Sequence, residues 1–247
     1  MPVSPPPPVR AYSGEHVPYC RYSTTNKESS PKGRHGIMLD VARKFFTMDY
    51  LKQYVKILSF YKMNEFQIHL NDNGFPQFFG DDWNRTYAAF RLESERFPGL
   101  TAKDGSYSKQ EFIDLQRMGL EYGVRIIPEI DIPAHSLAFA HYKPEIASRK
   151  YGMDHLDLYK KETYQFVDSL LDEYLSGDNP VFIGDLHIGT DEYNKKEAEQ
   201  YRYFTDRYLK FVEKYGKNVR MWGGLKWLPG KTPVKAEGVT VNAWSYD

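Results

Sequence analysis

Cysteine is almost absent: Cys20 is the single one in 247 residues, which excludes an internal disulfide framework and any zinc site built on thiolates. A charge excess is missing as well, since Lys+Arg and Asp+Glu both number 33. No global field therefore draws the chain to nucleic acid or to an anionic membrane surface. No apolar run is long enough to span a bilayer, so no membrane insertion is expected. The opening Met1-Pro2-Val3-Ser4 and the four prolines after it lack a charged n-region and an apolar h-region, and do not read as a signal peptide. A Gly-rich phosphate turn is also lacking. Asp40-Val41-Ala42-Arg43 stands where a doubly wound dinucleotide fold would place one.

Aromatic residues, by contrast, are abundant: 20 Tyr and 15 Phe exceed what a minimal core needs and suit walls that stack on sugars. Residues 1–33 are rich in Pro, Ser, Thr and Lys without periodicity and read as an extended leader. From Arg34 onward, strand-like and helix-like segments alternate. Gly36 to Val41 is a first strand, and Thr47 caps a helix running to Lys62 with Leu51, Val55, Leu58 and Tyr61 on one face. Glu65 to Leu70 is a second strand. A long, irregular aromatic segment, Asn71 to Tyr107, with Phe75, Phe78, Phe79 and Trp83, reads as a functional loop. Ser108-Lys109-Gln110-Glu111 is a capping box that opens a helix to Tyr122, stopped by Gly123. Strands follow at Val124–Asp131, Val181–Ile188, Val219–Trp222 and Val239–Trp244, separated by helices at Lys161–Leu175 and Tyr193–Tyr215. Six β/α units of this kind predict a parallel α/β fold. Without the phosphate turn, a (β/α)8 TIM barrel is favoured over an open sheet. Such a barrel needs eight strands. The expectation is therefore a barrel domain over residues 34–247, truncated after about six units.

In a parallel barrel every strand's C-terminal end opens on one face, so polar residues at those ends converge. The ends carry His69-Leu70-Asn71-Asp72, Asp131 with His135 four residues later, His187-Ile188-Gly189-Thr190-Asp191-Glu192, Trp222 and Trp244. Adjacent carboxylates in a strand-to-helix loop can both turn to one ligand, which neighbours within a strand cannot. Acids flanked by indoles suit a neutral, hydroxyl-rich ligand. Each residue also has a plainer reading: Asp191 as a helix cap, Asp72 as turn chemistry, His69 and His187 as hydrogen-bonded core histidines, Trp222 as outer packing. Five such coincidences at one mouth favour a site. A metal-dependent barrel hydrolase is the weaker alternative, because no His-X-His or His-X-X-X-His pair is present. A sugar-binding barrel without turnover is the other, and the retained acid pair argues against it.

Leu39-Asp40-Val41-Ala42-Arg43, His69-Leu70-Asn71-Asp72, Pro128 to His135 and His187 to Glu192 together resemble the catalytic domain of the β-N-acetylhexosaminidases of glycoside hydrolase family twenty. The resemblance implies a glycosidase that removes terminal β-linked N-acetylhexosamine by substrate-assisted retaining hydrolysis through an oxazolinium, with no cofactor and no metal. It casts Glu192 as the general acid and then base, and Asp191 as the holder of the 2-acetamido group, its charge raising the pKa of Glu192. Asp131 and His135 become the relay behind the acid, with His187 in support. Asp72 becomes a carboxylate at the substrate's end or one supporting the residues that touch it, and Trp222 and Trp244 walls of the acetamido pocket. The family's strand-one arginine, which grips the sugar, falls on His35, so Arg34 serves only through a bulge. The second of the family's two glycines before the acid pair is Thr190. Further sugar-binding groups of the family lie beyond strand six. The chain alone is therefore expected to be inactive or nearly so, its partner an N-acetylhexosamine-bearing glycan, and the longer enzyme periplasmic or secreted.

Overall fold

The computed structural model describes residues 33–243. The chain begins its ordered elements with β1 (Gly36–Asp40), α1 (Met48–Phe60), β2 (Glu65–His69) and the short pair β3 (Asn71–Asn73) and β4 (Ala88–Phe90). It continues with α2 (Lys109–Glu121), β5 (Arg125–Ile132), α3 (Leu137–Tyr142), β6 (Ala147–Ser148), β7 (Gly152–Leu156) and α4 (Lys161–Leu175). The last are β8 (Leu186–Gly189), α5 (Ala198–Glu213), β9 (Val219–Trp222) and β10 (Val239–Asn242).

Six strands form one parallel sheet in the order β1-β2-β5-β8-β9-β10, each beside its predecessor, whereas a doubly wound sheet would reverse direction part-way. The sheet curls as a barrel sheet does. Asn242 on β10 donates to Gln67 Oε1 on β2 at 3.0 Å although three strands separate them in the order, and Arg220 on β9 reaches Glu65 across β8 and β5 at 2.7 Å. The alternation along β2 explains the two faces. Phe66 and Ile68 point outward into the main apolar core, while Glu65, Gln67 and His69 point inward. β9 repeats this with Val219 and Met221 outside and Arg220 and Trp222 inside. The apolar core thus lies between sheet and helices, and the interior is a column of polar side chains.

The helices form where predicted. Thr47 caps α1 by accepting from Tyr50 N, and Leu51, Val55 and Leu58 are buried; Tyr61, just past the helix end, is exposed instead. The Ser108–Glu111 capping box at α2 is complete in both directions. Two segments differ from expectation. Val181 to Asp185 is not strand: Phe182 packs its ring on Phe112 and Tyr174, while Ile183 N donates to Gln116 Oε1, so an apolar run is buried as a loop. The helix expected from Tyr193 begins only at Ala198, after a 3-10 turn capped by Asn194. The long segment after β2 is not irregular throughout, because β3 and β4 pair antiparallel and return the chain over the mouth.

Candidate active site

Asn71 ties the C-terminal end of β2 to that of β5. Its amide accepts from Asp131 N at 2.8 Å and donates to the carbonyls of Asp131 and His135 at 2.8 and 3.0 Å. The loop after β5 is thereby fixed with His135 at a left-handed φ of 52°. Its ring faces two carboxylates, Asp72 Oδ1 at 3.0 Å from Nδ1 and Glu192 Oε2 at 3.5 Å from Nε2. Burial would discharge this imidazole, but Asp131, Asp72 and Glu192 together raise its pKa well above the ordinary value.

Glu192 follows β8 in a loop that turns through left-handed conformations at Gly189, Thr190 and Glu192. Gly189 is required there: a Cβ would stand 1.8 Å from Asp131 Oδ1, with φ at +66°. Thr190 meets a similar φ of 69° with a side chain, and is held by its N–H to Ile132 O and by Tyr201 Oη donating to its carbonyl. The Glu192 carboxylate is the exposed member of the group. The hydrogen bond from His135 holds its pKa below the usual carboxylate value. This reverses the expectation of a raised pKa: the neighbouring imidazolium outweighs the repulsion from nearby acids when water still covers the group. Asp191 lies beside it, with a ligand-type oxygen within 4.8 Å of those of His135 and Glu192.

Behind His135 the aspartate is Asp72, not Asp131, which corrects the expected pairing. Asp72 is buried on β3, where antiparallel pairing with β4 carries it over the barrel. It meets His69 Nε2 at 2.7 Å and Arg43 Nη1 at 2.8 Å. Burial opposes the Asp72 charge, yet the bonds from His135 and His69 hold its pKa far below the usual range. Asp131 is almost fully buried with Oδ1 lacking a hydrogen-bond partner, and desolvation pushes its pKa up to about 8. His187 is fully buried, and desolvation lowers its pKa to about 4. Its Nδ1 accepts from Gly189 N at 3.0 Å, and its ring lies 4.8 Å from that of Trp222. Trp222 turns inward and donates to Glu129 Oε1 at 2.7 Å, so it is not outer packing. Arg34 is not brought to this group. It precedes β1, and its guanidinium donates to Thr240 Oγ1 at 2.7 Å. Trp244 lies outside the described residues.

Arg43, Glu129 and Gln67 were not among the expected site residues. Asp40 accepts from Ala42 N and Arg43 N and from the Arg43 guanidinium, which aims that cation at Asp72. Buried Arg91 pins the same loop through the carbonyls of Val41 and Ala42. Spacing could have suggested Arg43, three residues after a strand-end acid. Among the described residues, three groups, Asp40–His69–Asp72, His69–Glu129–Asp131 and His135–Asp191–Glu192, bring ligand-type atoms within 4.8 Å. In each, the histidine faces a carboxylate from both ring nitrogens and is held charged, which suits a proton donor and not a metal ligand. Of the loop aromatics, Phe75 and Phe78 stand exposed and edge-to-face, 6.4 Å apart.

Comparison with known proteins identifies the family. Residues 34–247 match the catalytic domain of glycosyl hydrolase family 20. A beta-hexosaminidase of Porphyromonas gingivalis is 25% identical over 88% of the chain, which covers 30% of that protein. One of Akkermansia muciniphila is 27% identical over 85% of the chain, covering 47% of its length. A mutant Streptomyces plicatus beta-hexosaminidase, solved in complex with product GlcNAc, superposes with a TM-score of 0.69 at 27% identity, over 86% of this chain and 42% of that one. The chain thus spans less than half the length of these relatives.

Proposed function

Because the chain belongs to glycosyl hydrolase family 20 by its catalytic domain, we propose that it carries the acid–base centre of a β-N-acetylhexosaminidase. The observation that carries this reading is the line Asp72–His135–Glu192, which ends in a carboxylate exposed at the barrel mouth beside Asp191. Glu192 gives its proton to the glycosidic oxygen as the aglycone departs. The carbonyl oxygen of the substrate's own 2-acetamido group forms the new bond to the anomeric carbon, and an oxazolinium results. Asp191 orients the acetamido group and stabilises positive charge on its nitrogen. Glu192, now ionised, takes a proton from water, whose oxygen attacks the anomeric carbon and opens the ring with retained configuration. His135 stabilises the ionised acid between the two steps. A sugar seated over Glu192 removes water from it and favours its protonated form before the first step. Trp222 and Trp244 are assigned to the acetamido wall.

Release of a fluorogenic aglycone from N-acetyl-β-glucosaminide tests this, with the chain alone and within its longer parent. Turnover in either that Glu192→Gln reduces by ~10³-fold or more supports the reading. Equal turnover by the variant would remove Glu192 from the role. Glucosaminide that binds without turnover in either form would favour the sugar-binding barrel.

A further inference from the structure

Glu129 on β5 sits in the barrel interior, fully buried, where side chains from three other strands meet its carboxylate. Gln67 from β2 donates to Oε2 at 2.7 Å and Trp222 from β9 to Oε1 at 2.7 Å. His69 Nδ1 lies 3.0 Å from Oε2, an ion-pair distance although the N–H is not aimed along it, and His187 Nδ1 lies 3.4 Å from Oε1. A lone carboxylate in such a place is costly unless a cation accompanies it. His69 is the cation within reach: its other nitrogen faces Asp72 Oδ2 at 2.7 Å, so both edges of a buried ring meet acids. The charges therefore alternate along one string, from Glu129 through His69, Asp72 and His135 to Glu192, with Arg43 beside Asp72 and Asp40 beside Arg43.

We infer that Glu129 is a positioning residue for Glu192, acting through His69: it keeps His69 charged, and the charged ring shares Asp72 with His135 so that Asp72 does not bind His135 at full strength. The sign follows from the order of charges. His69 is the nearer, positive end of the pair as seen from His135, so loss of the Glu129 charge, and with it the His69 charge, leaves Asp72 more negative toward His135. His135 then holds its proton more firmly, and Glu192 is held ionised more firmly. The other ionisable groups facing these rings are Asp131, which acts on both, and His187, which is neutral beside Glu129. The inference rests on the proposed acid role of Glu192 only for its catalytic consequence. The charge states hold or fail without turnover.

The test is ¹⁵N-histidine NMR of the full chain. In the wild type, His69 is expected to show two protonated ring nitrogens from neutral pH into mildly alkaline pH. A neutral, singly protonated His69 at pH 7 would overturn the inference without any variant. In Glu129→Gln, His69 is expected to become neutral and the His135 titration midpoint to move to higher pH. His69→Gln should move His135 the same way, and Glu129→Asp should restore the wild-type midpoint. Folded Glu129→Gln or His69→Gln with an unmoved His135 midpoint would also overturn it. A purely structural role for Glu129 predicts lower stability without that remote shift.

Discussion

At the scale of single residues, strain and desolvation mark the same few positions. Gly189 has no room for a methyl group, so Gly189→Ala should cost roughly 2–4 kcal/mol in denaturant unfolding, the sum of overpacking and a left-handed backbone. Asp131 gives a pH signature. Desolvation raises its folded-state pKa to about 8, against roughly 3.9 unfolded, so the folded state retains a proton that the unfolded chain releases. Its contribution to stability is fully present below the unfolded value and is lost as pH rises toward the folded one. Asp131→Asn should therefore flatten the decline in unfolding free energy across that window, measured by urea titrations at several pH values. An unchanged slope would mean that Asp131 is ionised in the folded protein. Glu192 is held low by His135, so as a general acid it should lose its proton at acidic pH. The basic limb of kcat/KM in an active form should then move to higher pH in His135→Asn, where the imidazolium is gone.

Elements place these residues by their ends. β2 ends at His69, opposite Glu129, while β5 runs on to Ile132, and Asn71 locks the two ends with three hydrogen bonds. At about 1 kcal/mol each, Asn71→Ala should cost about 3 kcal/mol and free the His135 loop, seen as lower stability with faster exchange of the Ser136 amide. Helix starts were legible because caps are local chemistry: Thr47 and Ser108 act within three residues of themselves. The start of α5 was not, since the loop after Glu192 extends through Asn194 before the helix can begin. Val181 to Asp185 has strand composition but spends it on ring contacts with α2 and α4, a tertiary preference that outweighs local propensity.

For the molecule as a whole, the polar interior is the organising feature. Below the site layer, Arg220 is nearly fully buried and bonds both Glu65 oxygens and Asp185, joining β9 to β2 across the sheet's curl. Arg220→Ala removes the buried cation from Glu65 and Asp185, leaving them only the more exposed and more distant Arg125 and Arg34, and should destabilise by ~3 kcal/mol, checked by thermal or urea unfolding. Arg220→Lys should recover only part, because one ammonium cannot match both oxygens of Glu65. A column of charges thus runs from Glu65 and Arg220 below to Glu192 above.

The sequence by itself determined the parallel β/α order, the helix caps and the family, because periodicity, capping and contiguous motifs are properties of neighbouring residues. It also marked which strand ends carry acids, histidines and indoles. Tertiary structure alone decided that Asp72 and not Asp131 stands behind His135, that Arg43 faces Asp72, and that Arg34 turns to Thr240 instead of the mouth. Those pairings join different strand ends and depend on the curl and register of the sheet. Spacing along the chain shows which ends are polar, but only the folded barrel fixes which polar groups meet.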